Sequence, residues 1–201
     1  MQNELKQIIK EIIAPLFKQN GFKKKANNFA KIFPEFAWTV NIQSSKWNSE
    51  DEVEFTINTG IYNEKLFRAI NEWEPSNFPM EVESVLRIRI NELKNSSQNW
   101  YKLSKATNLD EVKKQVEKDI QNVILPYFEQ FKTIEDVIRG LENKEELGLY
   151  ENPHYLTILY EIYGEHDRAQ RRINEVYAKT KDHLQKEFII ELANRLGLNV
   201  N

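Results

Sequence analysis

The sequence predicts an α+β fold, with strands in the first half of the chain and helices in the second. Two segments, Phe36–Ser44 and Val53–Gly60, alternate apolar and polar residues with a period of two. Successive side chains of a strand point to opposite faces, so each segment presents one apolar and one polar face. From Asn108 onward the apolar residues recur at helical spacing. Strands followed by helices favour α+β over an alternating α/β fold.

The first predicted element is a helix whose apolar stripe runs from Leu5 to Phe17. Pro15 lies inside this pattern and cannot donate a hydrogen bond to the Glu11 carbonyl, so we expect a kink or a break there. The helix is expected to cover the apolar face of an antiparallel sheet of four to five strands. The predicted strands are Phe22–Lys31, Phe36–Ser44, Val53–Gly60, Val85–Ile90 and Asn99–Leu103.

The change from strands to helices predicts an α+β domain over residues 1–105 and a helical region over residues 106–201. No linker rich in Pro, Gly or Ser separates them, so the two regions can also pack as one domain. Within the helical region, Leu159, Gly164, Ala169 and Ile173 have the spacing of one tetratricopeptide-type helix pair. An ordinary helical hairpin explains the same spacing.

Composition limits the expected partners. The 201 residues include 28 Lys or Arg and 31 Asp or Glu, for a formal charge of −3, and nucleic-acid binding usually needs a basic excess. The lack of cysteine excludes disulfides, thiolate zinc sites and a cysteine nucleophile. No apolar run approaches the roughly 18 residues of a membrane helix, and charged residues interrupt the first stripe, unlike a signal peptide. We therefore expect a cytoplasmic protein without a cofactor, whose partner is another protein rather than a membrane or nucleic acid.

Several different short motifs lie in the first half of the chain. They are Pro15-Leu16, Gly21-Phe22-Lys23-Lys24, Val40-Asn41-Ile42-Gln43-Ser44, Phe55–Tyr62, Arg87–Leu93 and Trp100-Tyr101. Together they resemble the bacterial family labelled domain of unknown function 4304 (DUF4304), over roughly residues 5–105. The sequence departs from that family at Lys25-Ala26, where members often have a glycine after the lysine pair. The resemblance implies an α+β domain and a bacterial source, and it implies no activity because the family has none assigned.

The polar face of the predicted sheet is the candidate binding surface. Neighbouring strands would place on it Asn41, Gln43, Glu54, Thr56, Asn58, Arg87 and Arg89. Arginine offers a planar fork for carboxylates, and amides offer paired donors and acceptors. We expect this face to bind a polar ligand or an acidic segment of a partner, with Trp47 as an interface anchor. The alternative interpretation is a solvated face on which Glu and Arg pair across strands.

Two other functions stay open at this point. Glu92-Leu93-Lys94 has the spacing of metal-dependent nucleases and hydrolases, in which a carboxylate holds Mg²⁺ and a lysine positions the attacking water. The C-terminal helices offer a scaffold groove for a peptide helix. We expect a non-enzymatic interaction protein, of which an antidote that masks a toxin is one specific form, and we assign no catalytic or metal-binding residue.

Overall fold

The computed structural model describes residues 1–147 and 152–200, and its architecture is α+β, as the sequence predicts. The chain divides into two compact units. The first contains Met1–Glu64 and Glu74–Val137, and the second contains Lys65–Trp73 and Ile138–Asn201. The predicted division near residue 105 into an α+β domain and a separate helical region stays a prediction.

An antiparallel sheet spans the first unit, with six strands in the described chain. The strands are β1 Lys23–Lys25, β2 Asn28–Ile32, β3 Ala37–Ser44, β4 Glu52–Tyr62, β5 Ile88–Arg89 and β6 Tyr101–Ser104. Their order is β1-β2-β3-β4-β5, and β6 also pairs with β4. The predicted strand Phe22–Lys31 folds as two strands, because the chain reverses at Ala26, whose φ is 52°. The predicted strand Val85–Ile90 is reduced to β5, and Ile90 already begins a helix.

Two long helices of the first unit share one irregular construction. The first long helix consists of α1 Gln2–Ile8, a π-helical segment Ile9–Ile13 and α2 Ala14–Gln19. Between the two along the chain lie α3 Glu64–Ile70, a 3₁₀ turn Glu81–Glu83 and α4 Ile90–Leu93. The second long helix consists of α5 Leu109–Asp119, a π-helical segment Ile120–Ile124 and α6 Leu125–Phe128.

Each π-helical segment is followed by a proline, Pro15 in the first long helix and Pro126 in the second. The backbone N–H of Ala14 donates to the Ile9 carbonyl, five residues back, and Leu125 donates likewise to Ile120. Proline has no N–H to donate, and the wider π turn accommodates that loss without ending the helix. The kink or break predicted at Pro15 is therefore a π-helical segment just before it.

The buried positions of the two long helices also match. Those of the first are Leu5, Ile8, Ile9, Ile13 and Phe17, and those of the second are Val116, Asp119, Ile120, Ile124 and Phe128. The spacing is identical, with Asp119 in the place of Ile8. An extra residue in the π turn moves the later buried positions by one, which explains the repeated step of four at the end of each set. The helices contact each other, and Lys113 Nζ lies 2.8 Å from Glu11 Oε2.

Aromatic side chains join these helices to the apolar face of the sheet. The rings of Phe17 and Phe29 lie 5.1 Å apart, and Trp38 stacks on Phe128 at 5.3 Å. Trp38 also donates its indole N–H to the Phe131 carbonyl at 2.9 Å. Full burial of side chains of this size stabilises a fold by roughly 2–3 kcal/mol each. The apolar face predicted from the alternation is thus a packed core.

Helices make up the second unit in its described part. They are α3, of which only Glu64 belongs to the first unit, α7 Ile134–Glu146, which begins in the first unit, α8 His154–Ile162, α9 His166–Lys179 and α10 His183–Leu196. Helix α8 packs on α9, whose Ala169 and Ile173 are buried. Glu142 accepts a hydrogen bond from the Tyr160 hydroxyl at 2.7 Å. Across residues 1–147 and 152–200, the chain contains no helix with the length and apolar character needed to cross a membrane.

Candidate functional site

Four polar side chains line up across four strands on one face of the sheet. Asn28 of β2 lies opposite Asn41 of β3, which lies opposite Asn58 of β4. Asn58 in turn lies opposite Arg89 of β5. Residues directly opposite each other in antiparallel strands carry their side chains on the same face. We call Asn28, Asn41, Asn58 and Arg89 the polar row.

Hydrogen bonds join the polar row and the neighbouring Gln43 into two groups, Asn28 with Asn41 and Asn58 with Gln43 and Arg89. Asn41 Nδ2 donates to Asn28 Oδ1 at 2.7 Å, and Asn58 Nδ2 donates to Gln43 Oε1 at 2.8 Å. Arg89 Nε donates to Asn58 Oδ1 at 3.0 Å, and its Nη2 donates to Gln43 Oε1 at 3.4 Å. The two amide oxygens therefore fix the plane of the guanidinium.

The indole of Trp100 supports the Arg89 guanidinium from a second side. The Arg89 Cζ atom lies 5.4 Å from the centroid of the Trp100 ring, within the range of a cation–π contact. Arg89 is partly exposed, and Gln43 is exposed. The guanidinium is thus held in one orientation at the surface, where a ligand can reach it.

The carboxylate expected to neutralise an arginine on this face pairs with a lysine instead. Glu54 Oε1 lies 2.7 Å from Lys102 Nζ, and this hydrogen bond holds the pKa of Lys102 above its ordinary value. The part of the chain that the structure describes contains no carboxylate ion-paired with Arg89. Arg89 is therefore a cation held only by neutral partners.

At the other end of the same face, near Thr39 and Gly60, another segment of the chain covers the sheet. Thr39 lies opposite Gly60, and its hydroxyl donates to the Gly60 carbonyl at 2.9 Å. Ser84 Oγ lies 2.8 Å from Thr39 Oγ1, and a Cβ atom added to Gly60 would lie 2.5 Å from Ser84 Cβ. The segment carrying Ser84 thus lies directly on this end of the face, while in the polar row Asn58 is buried and Asn28, Asn41 and Arg89 are partly exposed.

Thr56 adds a buried hydroxyl next to the polar row. It lies opposite Gln43 in the strand pairing, and the residue is fully buried. Its Oγ1 has no hydrogen-bond partner among the described residues. An unpaired buried hydroxyl costs about 1–3 kcal/mol, so Thr56 is a local destabilising feature of this face.

Two predicted site residues lie elsewhere. Arg87 precedes β5, so the alternation of a strand does not govern its direction, and its Nε donates to Glu81 Oε1 at 2.9 Å. Trp47 lies in the turn between β3 and β4 and is 82% exposed. Of the predicted set, Asn41, Gln43, Asn58 and Arg89 come together, and Arg87 and Trp47 do not join their network.

Glu92 and Lys94, the residues of the metal-dependent hydrolase hypothesis, lie in different surroundings from each other. Lys94 Nζ lies 2.8 Å from the buried Asp119 carboxylate, which also accepts hydrogen bonds from Tyr101 at 2.6 Å and Gln115 at 2.8 Å. Burial, and then the bond to Asp119, raise the pKa of Tyr101. Glu92 is exposed. Within residues 1–147 and 152–200, three or more His, Asp or Glu side chains do not gather in a group that could hold a metal ion.

The sequence interpretation missed Asn28 and Trp100. The Asn27-Asn28 pair favours a turn, and this signal could have divided the predicted strand Phe22–Lys31 and placed Asn28 at the start of the next strand. Trp100 precedes β6, and no local pattern relates it to Arg89. The contact arises only because β5 and β6 both pair with β4.

Comparison with protein families gives one match. A family model described as "Domain of unknown function (DUF4304)" matches residues 13–130, which is more than half of the chain. The matched stretch includes every residue of the polar row, together with Gln43, Trp100 and Lys102. No curated protein and no solved structure matches the chain.

Proposed function

This chain belongs to the DUF4304 family, and we propose that it is a binding protein whose polar row holds an anionic group of a partner protein. The family name carries no activity, so the proposal rests on the geometry of the polar row. We place this role in the cytoplasm of a bacterium, in line with the composition and motifs of the sequence.

The observation that carries the proposal is the unpaired, oriented guanidinium of Arg89. Its Nε and Nη2 atoms each donate to an amide oxygen, which leaves both N–H groups of Nη1 and the second N–H group of Nη2 for a ligand. Hydrogen bonds between a guanidinium and a carboxylate are about twice as strong as neutral ones, and a guanidinium already fixed in place loses less entropy on binding. The expected ligand group is an aspartate, glutamate or C-terminal carboxylate.

The neighbouring amides extend this recognition along the face. Asn28 and Asn41 use one donor and one acceptor on each other, which leaves further polar atoms for the backbone of a bound segment. The row crosses four strands, each about 4.8 Å from the next, so it spans about 14 Å. That length suits several residues of an extended chain rather than a single small ion.

The alternative explanation of the charges needs a Glu–Arg pair across strands. Glu54 pairs with Lys102, which leaves Arg89 without an acid to neutralise it. Lys94, which the hydrolase hypothesis needs beside Glu92, donates to Asp119. These contacts support the binding proposal over the solvated-face and hydrolase alternatives. The antidote-like role and the helical peptide scaffold stay predictions of the sequence.

The test compares three forms of the full chain, immobilised and exposed to lysate of the source cell. Arg89→Gln removes the charge and keeps an amide that can bond to Asn58. Arg171→Gln is the matched control, because Arg171 is an exposed arginine of the second unit. Charged hydrogen bonds contribute about 1.5–3 kcal/mol, so the partner should bind roughly tenfold to a hundredfold more weakly to the Arg89 variant. Quantitative mass spectrometry of the captured proteins measures this loss.

The same experiment can reject the proposal. If the captured proteins are the same for the wild type and for Arg89→Gln, the polar row does not bind the partner. An equal loss in Arg171→Gln would point to non-specific charge attraction. Thermal unfolding of each variant establishes that a loss of binding is not a loss of the fold.

A further inference from the structure

A groove of about 600 Å³ lies between the first long helix and β1. Its floor is apolar and consists of Ala14, Pro15, Phe22 and Phe29. Phe22 is only 4% exposed and Phe29 only 1%, whereas Ala14 is half-buried and Pro15 is exposed, so the two rings are recessed and Ala14 and Pro15 supply most of the accessible apolar surface. The volume lies within the range of about 300–1,000 Å³ that is typical of ligand sites. None of the lining residues belongs to the polar row.

Four lysines border this floor. Lys10 and Lys18 come from the helix, and Lys23 and Lys24 come from β1. All four are exposed, and in the described residues none forms an ion pair with a carboxylate. Lys24 Nζ lies 5.9 Å from the centre of the Phe29 ring. In a chain with a net charge of −3, this is a local basic surface around an apolar centre.

We propose that this groove binds an acidic segment of a partner protein, with one apolar side chain on the floor and carboxylates on both sides. Lys10 and Lys18 are eight residues apart on a helix, which places them about 12 Å apart along its axis. About four residues of an extended peptide cover that distance. A ligand with a single carboxylate, such as a fatty acid, would meet lysines on one side only.

The position of β1 also favours a peptide. It is the end strand of the sheet, so its outer edge carries backbone groups that no described strand pairs with. An extended segment can bind such an edge through its own backbone. The lysines of β1 discourage pairing with a neutral or basic strand, and they favour pairing with an acidic one.

The other classes of macromolecule fit less well. Membrane surfaces are entered by protruding apolar side chains, whereas Phe22 and Phe29 are buried. Single-stranded nucleic acids stack on exposed aromatic rings, which this floor does not offer. The apolar floor needs a small inserted group, and the lysines need several negative charges spaced along a chain.

The test titrates the full isotope-labelled chain with a short synthetic peptide that has one central phenylalanine flanked by glutamates. Resonances of the groove residues should shift, and the affinity should fall as salt is added. In the variant Lys18→Gln/Lys24→Gln the affinity should fall about threefold to tenfold, since each exposed charge pair contributes modestly. The matched control is Lys114→Gln/Lys118→Gln, two exposed lysines of α5, which should bind as tightly as the wild type.

Further experiments distinguish an acidic peptide from other ligands of the groove. A peptide with serine in place of the phenylalanine should bind more weakly, and a peptide with glutamine in place of glutamate should not shift the groove resonances. Ala14→Phe, which fills the floor, should weaken binding while the thermal midpoint reports on the fold. The proposal fails if the acidic peptide leaves the groove resonances unchanged. It also fails if serine replaces phenylalanine without loss, or if only phosphatidylserine vesicles or single-stranded DNA bind through these lysines.

Discussion

The first and second long helices have the same construction but differ at one buried position. Both contain a π-helical segment before a proline, and both bury residues at the same spacing. Where the first has Ile8, fully buried among apolar neighbours, the second has Asp119, which is 3% exposed. The two helices therefore share a backbone construction and differ in one buried side chain.

Asp119 is tolerated because its surroundings supply donors. Lys94, Tyr101 and Gln115 all donate to its carboxylate, whereas the Ile8 side chain is apolar and fully buried. A buried carboxylate is stable only when it is paired and hydrogen-bonded. The comparison shows that one helical frame can carry either a purely apolar contact or a polar cluster, depending on what β6 and α4 bring to it.

The largest effect on stability is expected when the aspartate of the second long helix is placed at the equivalent position of the first. Ile8→Asp would bury a carboxylate with no donors, and we expect the free energy of unfolding to fall by about 4–5 kcal/mol. Denaturant unfolding followed by circular dichroism measures this change. Asn3→Asp, at an exposed position in the first turn of α1, is the control and should change stability by less than about 0.5 kcal/mol. Near-native stability of Ile8→Asp would show that the two helices differ less than their surroundings suggest.

The reverse exchange should have an intermediate effect. Asp119→Ile would leave the Tyr101 hydroxyl buried without a partner, and we expect a loss of about 2–3 kcal/mol. Adding Tyr101→Phe removes that unpaired group, so the double variant should be more stable than Asp119→Ile alone. Denaturation of the wild type and the three variants forms a double-mutant cycle. If the second change lowers stability further, the hydroxyl is not what makes the exchange unfavourable.

The smallest effect is expected at the prolines. Pro15→Ala and Pro126→Ala each exchange a rigid residue for a better helix former while the unfolded chain gains freedom, so these effects oppose each other. We expect the thermal stability to change by less than about 1 kcal/mol, and by similar amounts at the two sites. A large change at only one site would mean that the two π-helical segments are not equivalent.

Much of the sheet could be predicted because alternation is a local property. The pattern around Trp38 and Ile57 separates a core face from a polar face, and the polar face contains Asn41, Asn58 and Arg89, as predicted. Strand pairing then brings these residues into one row. The division into two faces follows from each strand alone, whereas the alignment of the row also needs the register between strands.

The remaining features depend on contacts that local patterns do not encode. The reversal at Ala26 uses a left-handed backbone conformation without a glycine to mark it, so the apolar pattern alone predicts one strand where the structure has two. The direction of Arg87 depends on Glu81, and the burial of Asp119 depends on Tyr101 from another strand. The spacing of Glu92 and Lys94 predicts a shared metal site, but Lys94 forms an ion pair with Asp119, which lies in a different helix.

The close approach of Ser84 to Gly60 limits how systematic mutagenesis of this protein should be interpreted. Even a methyl group at Gly60 would meet the Ser84 side chain at 2.5 Å, so substitutions there act on packing before they act on any partner. In a library selected for interaction, depletion of Gly60 variants would report folding, whereas depletion confined to Arg89 and Gln43 would report contact. The footprint of a partner on this face should therefore end short of Gly60.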